Sequence, residues 1–267
     1  MTIISTATES SDGFYSPSLN DFFPPALFGE GTFFEFNRVL FVRMVITAVL
    51  VGMFVLIGMR AKVIPGRGQA LFELILDFLR VNVVEAVLGK QEGRRHEALI
   101  FFLFFTIFAF NVTGIIPGLN IASTGLIALP LLLATLTFVW YLVAGIRQHG
   151  VGRYLSLSLF PPSVPKPLLV LMTPIDALQV FLIRPASLTV RLAINMLVGH
   201  LLLVLTYSAT QYFWVQAADG VNLLFGLLTF IGILFMTVLE LFVAGLQAFI
   251  FAMLTAVYIN MATAEDH

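Results

Sequence analysis

Two apolar stretches, residues 168–207 and 221–261, constrain this chain more than any other feature. They run for 40 and 41 residues, the first interrupted only by Pro174 and Pro185 and the second holding no proline. As helix, at ~1.5 Å per residue, each would reach roughly 60 Å. The hydrocarbon layer of a membrane is only ~30 Å thick. Neither stretch contains a polar turn that would divide it into two ordinary spans. The expectation is a hairpin of two long, strongly tilted helices, closed by an outer loop over 208–221, with the prolines bending the first. Membrane helices usually tilt by ~20°, so this geometry suits a protein that lies along something curved.

The rest of the chain is equally membranous. Of its 267 residues 59% are hydrophobic and 11% charged, against about 25% charged in soluble domains. Spans are expected at 39–59, 98–116 and 126–146, with Arg38 and Arg43 at the start of the first placed to snorkel to the interface. Residues 69–88 differ: Glu73, Asp77 and Arg80 recur at helical spacing among Leu71, Phe72, Ile75, Leu76 and Leu79. That pattern predicts an amphipathic helix on the membrane surface. Residues 119–125 read as a short turn, 147–168 as a polar loop, and the phenylalanine run at 101–110 as lipid-facing and packing surface. The aromatic trio Tyr212, Phe213 and Trp214 reads as an interfacial belt.

Placement of charge gives orientation. Residues 60–96 hold seven Lys or Arg and 147–166 hold three, while the turns at 119–125 and 208–221 hold none. By the positive-inside rule the basic segments and the C-terminus face the cytoplasm and the N-terminus lies outside. Residues 1–36, with Glu9, Asp12, Asp21, Glu30 and Glu35 and no Lys or Arg, form an extracytoplasmic segment, and 37–267 form one integral membrane domain. No cleavable signal peptide is apparent. The absence of Cys removes disulfides, thiolate metal sites and Cys nucleophiles, and neither metal nor cofactor nor nucleic acid is expected. The fold class is an all-α polytopic membrane protein of about five membrane helices plus one surface helix.

Polar residues in the tilted pair demand an explanation, because a charge at the bilayer centre costs about 3 kcal/mol on insertion scales. The first helix carries Asp176, Gln179, Arg184, Arg191, Asn195 and His200, and the second Glu240 and Gln247. Arg191 and Asn195 share a face at i,i+4, as do Arg184 and Arg191 at seven apart and Glu240 and Gln247 likewise. An antiparallel hairpin brings His200 toward Glu240 on the outer side, with Gln247 deeper and nearer Arg191. Arg stays protonated and is a fixed charge, whereas His and Glu titrate. Together they suggest a proton wire ending at a permanent cation. A lone Asn or Gln reads first as glue between helices; the ionisable set reads as function. Arg191 has no evident partner in its own chain, so it needs a carboxylate from another.

A haem-bearing subunit would need paired intramembrane His, and His96, His149 and His267 lie in polar or terminal segments. An intramembrane protease lacks its G-x-S-x-G elbow. A secondary transporter with an intramembrane proton relay is the alternative, although no internal repeat is visible.

The stretch RPASLTVRLAINMLVGH, residues 184–200, resembles the signature of subunit a of F-type ATP synthases, R-P-x-S-L-x-x-R-L-x-x-N-x-x-x-G-(E/H). The end of the chain, ELFVAGLQAFIFAMLTAVYINMATAEDH, resembles that family's last helix and tail, and the resemblance extends over nearly the whole chain. It implies a proton-conducting stator subunit of a bacterial plasma membrane, non-catalytic by itself, working against a rotating c-ring and held by the b subunits of a peripheral stalk. It implies that Arg191 is the essential charge facing the c-ring carboxylate, with Asn195 and Gln247 as its polar neighbours. His200 and Glu240 occupy positions where many bacterial relatives carry Glu and His, an exchange shared with mitochondrial forms. Asp176 matches the acid of the inner access, and Arg184 and Gln179 are secondary. The common R-L-F-G-N is R-L-A-I-N here, so Ala193 and Ile194 should alter packing against the ring.

Overall fold

The structure is a computed structural model that describes residues 26–28, 36–60, 62, 64–116, 123–159 and 166–264. The five N-terminal carboxylates, Pro117 and Gly118 at the end of the second expected span, and His267 lie outside these residues. Two short strands open the described chain, β1 (Ala26–Phe28) and β2 (Phe36–Asn37), paired antiparallel. The other described elements are helical: α1 (Arg38–Arg60), α2 (Arg67–Leu79), α3 (Ala86–Val112), α4 (Ala128–His149), α5 (Val151–Leu159), α6 (Lys166–Leu178), α7 (Arg184–Gln211) and α8 (Gly220–Thr263). Short π-helical segments lead from α2 into α3, from α6 into α7 and out of α7.

Four helical runs are long and apolar enough to cross a membrane: α1, α4, residues 172–216 and α8. The fifth expected span is the apolar part of α3, which begins at Ala98 and ends by Val112, a turn short of the expected 116. Leu99, Ile100, Leu103, Ile107 and Phe110 of α3 are all buried, which makes α3 the central post of the bundle. Against it packs α8, whose Ala244, Ala248, Ala252 and Ala256 recur every fourth residue and are buried. Small side chains at that spacing let two helix backbones approach closely. The first half of α8 is almost entirely exposed, with Leu224, Leu228, Leu234 and Phe235 turned outward.

The surface helix is longer than the periodicity indicates. Helical structure runs from Arg67 to Leu88, and the chain bends at Gly89, whose φ of 75° suits a residue without a Cβ. Arg80 bridges Asp77 (3.0 Å) and Glu97 (2.6 Å) across the bend. The hydrogen bond that Arg80 donates to Glu97 raises the Arg80 pKa above its ordinary value. His96, assigned to a polar segment by its neighbours, lies inside α3 and accepts a hydrogen bond at Nδ1 from Trp140 Nε1 (3.0 Å).

Three further expectations are corrected. The polar loop over 147–168 contains α5, because Gly150 at φ 78° ends α4 and Tyr154 then buries its ring against Gly145. The outer loop over 208–221 is mostly helix, and only 217–219 turn. Thr210 bonds back to the Thr206 carbonyl at 2.9 Å, so its hydroxyl does not compete with the helix. Trp214 stacks on Phe230 and Phe213 packs on Phe225, closing the hairpin by ring contacts. Arg43 is tied to the protein and does not reach the interface alone. It is half-buried and donates from Nη2 to the Ser123 carbonyl at 2.6 Å.

The two long helices are as expected. Residues 172–216 form a continuous helical run of 45 residues and α8 has 44, so each reaches roughly 65 Å. In a ~30 Å layer such helices must incline far beyond ~20° or project beyond it. The π-helical segment Gln179–Ile183 lies just before Pro185. There the Arg184 N–H reaches back five residues to the Gln179 carbonyl. The next partner in that ladder would be the N–H of residue 185, which proline lacks. The orphaned Val180 carbonyl is taken by Tyr141 of α4, whose hydroxyl donates at 2.7 Å and whose ring is fully buried. Tyr141→Phe should therefore destabilise the protein by about 1–3 kcal/mol, the cost of a buried unsatisfied carbonyl. Thermal unfolding of the purified complex reads this, and an unchanged midpoint would show that the bond carries no weight.

Candidate functional site

The polar residues of the long pair meet where α8 enters the bundle. A cavity of about 130 Å³ lies between α3, α7 and α8, and Asn111, Asn195, Gly199, Glu240 and Gln247 are among the residues lining it. Asn195 Nδ2 donates to Gln247 Oε1 at 3.3 Å, joining α7 to α8 across it. Glu240 is 5% exposed, and neither carboxylate oxygen accepts a hydrogen bond from a described residue. An ionised carboxylate so placed is costly, which makes Glu240 a group suited to taking up a proton.

Glu240 is seated against Gly199: a Cβ there would stand 3.3 Å from Oε1. Glycine at 199 therefore makes the room for the carboxylate. His200, the next residue, is also buried, but no ion pair joins it to Glu240. Successive helix residues point about 100° apart, so the residue that follows the seat faces another direction. Neither carboxylate oxygen of Glu240 accepts a hydrogen bond from His200.

Arg191 is exposed and has no hydrogen bond, ion pair or ring contact with any described residue. Around it Val190, Ile194 and Val198 are also exposed, so the cation stands in an apolar outer surface. Of the two positions that depart from the usual motif, Ala193 is buried and Ile194 faces outward. Arg184 is held differently from Arg191. Its guanidinium lies 5.2 Å from the centre of the Tyr258 ring, and Nη2 reaches Met261 Sδ at 3.8 Å. That contact pins the bent start of α7 to the end of α8.

Asp176 and Gln179 are not brought to the cavity. Asp176 is half-buried in α6 and Gln179 exposed in the π-helical segment, both on the other side of Pro185 from Arg191. Fifteen helical residues separate Asp176 from Arg191, roughly 22 Å.

Asn111 is the site residue that sequence reasoning missed. It is 2% exposed, and its Oδ1 accepts from Thr124 Oγ1 at 2.6 Å. The signal was a single amide closing the phenylalanine run. That run is mainly packing surface here: Phe105 and Phe110 are buried, and Phe105 meets Phe54 and Phe72.

Two helices long enough to exceed a bilayer, carrying an exposed cation and a buried acid, are what a membrane ion-translocating subunit would present. Comparison with known proteins supplies the family. The model of the ATP synthase A chain matches residues 40–260, and the chain belongs to that family. It is 42% identical to ATP synthase subunit a of Rhodococcus erythropolis over 99% of this chain and 96% of that one. It is 35% identical to the subunit a of Streptomyces lividans over 96% and 90%. Against that of Erythrobacter litoralis it is 36% identical over 82% and 83%. The chain is thus a component of an ATP synthase complex and a multi-pass membrane protein. The transporter alternative has no support.

The seat at Gly199 makes a steric prediction. Gly199→Ala should unfold near the wild-type temperature, since a shift of a few tenths of an ångström relieves the contact. Gly199→Leu should lose about 1–3 kcal/mol by overpacking. Equal thermal stability of the two variants in the purified complex would contradict so close a seat.

Proposed function

We propose that the chain is the proton-conducting stator subunit of the ATP synthase membrane sector, with two offset half-channels serving a rotating ring of c subunits. The observation that carries this reading is Arg191, a permanent cation on an apolar outer surface with no partner among the described residues of its own chain. At a cost of about 3 kcal/mol in lipid, such a charge is retained only if something outside the chain meets it. A carboxylate of the c-ring moving past is that partner, and an opposite charge close by favours its ionised form.

Protons enter from outside through the cavity with Glu240, Asn195 and Gln247, and His200 lies in the same layer as a second titratable group. They neutralise a ring carboxylate, which can then travel through lipid. After nearly a full turn it loses its proton at an inner access near Asp176, on the other side of the Pro185 bend, and pairs again with Arg191. Arg191 also separates the two accesses, because a guanidinium does not release its proton. Gln179 flanks the inner access, and Arg184 holds the bend between the two. The force on each proton is ~2.3 kcal/mol per 100 mV. No bond is made or broken in this chain; ATP chemistry belongs to other subunits.

The subunit lies in the bacterial plasma membrane. Residues 1–36 form the outer N-terminal segment, residues 37–267 one membrane unit, and the C-terminus faces the cytoplasm. The b subunits of the peripheral stalk keep it from turning with the ring. Neither metal nor organic cofactor has a role in this reading.

Arg191→Ala should lower proton-driven ATP synthesis by at least about 100-fold, the factor equivalent to ~3 kcal/mol, while the complex still assembles. Synthesis in membrane vesicles is the measurement, and a normal rate would remove Arg191 from its central place. The double variant His200→Glu/Glu240→His should retain more activity than either single change. A double variant no better than the singles would show that the two groups are not parts of one path.

A further inference from the structure

Arg43 lies in the second turn of α1, where it is the one charged residue between Arg38 at the start of the helix and Arg60 at its end. It makes no ion pair with any described residue, and its Nε is buried. The one described bond of its side chain, from Nη2 to the Ser123 carbonyl at 2.6 Å, is short and charge-assisted, the stronger kind of hydrogen bond. Ser123 and Thr124 are both fully buried. Thr124 Oγ1 in turn donates to Asn111 Oδ1 at 2.6 Å, and Asn111 lines the cavity that holds Glu240. Thr113 braces the same knot, with its Oγ1 on the Phe110 carbonyl at 2.6 Å and 3.4 Å from Ser123 Oγ.

We propose that Arg43 is a positioning residue for the outer proton access, acting through Ser123 and Thr124 to hold the Asn111 amide in the cavity beside Glu240. The inference rests on the reading of that cavity as part of the proton path. The bond from Thr124 occupies the amide oxygen. The Nδ2H₂ group is then the end left for the cavity, and it is a donor. The Glu240 carboxylate on the same cavity is an acceptor that no described residue satisfies. At about 130 Å³ the cavity has room for more than one water, each needing ~30 Å³, so donor and acceptor can be linked by water. A rotated amide would present a second acceptor and break that complementarity. Packing alone would not need a guanidinium at position 43, since leucine would fill an apolar helix face without the cost of a buried charge.

The test uses membrane vesicles carrying the complete ATP synthase. Passive proton flux through the membrane sector, after the catalytic head is stripped, is measured per assembled complex across a range of external pH. Arg43→Ala and Thr124→Val should each reduce flux about fivefold, the order of one hydrogen bond expressed as a rate, with assembly intact. Arg43→Lys should recover part of the loss. The double variant should fall no further than Arg43→Ala, because residues acting in series are not additive. Wild-type flux in Thr124→Val, or losses that multiply in the double variant, would overturn the proposal. Should Arg43→Ala fail to assemble, Thr124→Val decides alone. Glu240→Gln is the reference: if it retains full flux, the cavity is not the path, and that outcome is distinct from a silent Thr124→Val beside an impaired Glu240→Gln.

Discussion

A single unpaired guanidinium sets the terms for this protein. Arg191 cannot shed its charge, is exposed among Val190, Ile194 and Val198, and meets no carboxylate among the described residues of its own chain. A bilayer alone is a poor environment for such a group. In the reading proposed above, an acidic group of a second protein completes the surface that carries it, and family membership makes the chain a component of an ATP synthase complex.

Much of the remaining architecture serves to hold that surface steady. The stripe of Ala244, Ala248, Ala252 and Ala256 draws α8 onto α3, giving the long pair a fixed backing. Pro185 disturbs the helix just before Arg191, and the disturbance is answered locally: a π-helical segment, a tyrosine hydroxyl on the orphaned carbonyl, and Arg184 stacked over Tyr258. The bend lies between Asp176 on one side and the cavity with Glu240 on the other. In the reading proposed above, two accesses displaced from each other along one helix would give a ring carboxylate reason to travel rather than exchange its proton in place.

The long helices were legible because their apolar runs exceed any ordinary span and contain no turn. The polar residues of the candidate site stood out against the same background, and the structure joins two of them, Asn195 and Gln247, by a direct bond. What escaped depends on contacts distant in sequence. Asn111 gains its place from Thr124, across a turn whose register no periodicity encodes. Arg43 looked like an interfacial residue because its partner is a backbone carbonyl 80 residues away. The segment 208–221 read as an outer loop, yet it is mostly helix, with rings that stack across the hairpin. The close seat of the Glu240 carboxylate against Gly199 also escaped, because a glycine gives no side-chain signal.

The most direct test is a proximity measurement that leaves Arg191 in place. The chain has no cysteine, so Ile194→Cys, one turn along the same exposed surface, is a unique thiol. Paired with a cysteine beside the ion-binding carboxylate of the c subunit and oxidised in intact membranes, it should form a disulfide between the two chains. If position 194 reacts only with a membrane-soluble thiol reagent and never with the c subunit, the cation faces lipid and the account is wrong.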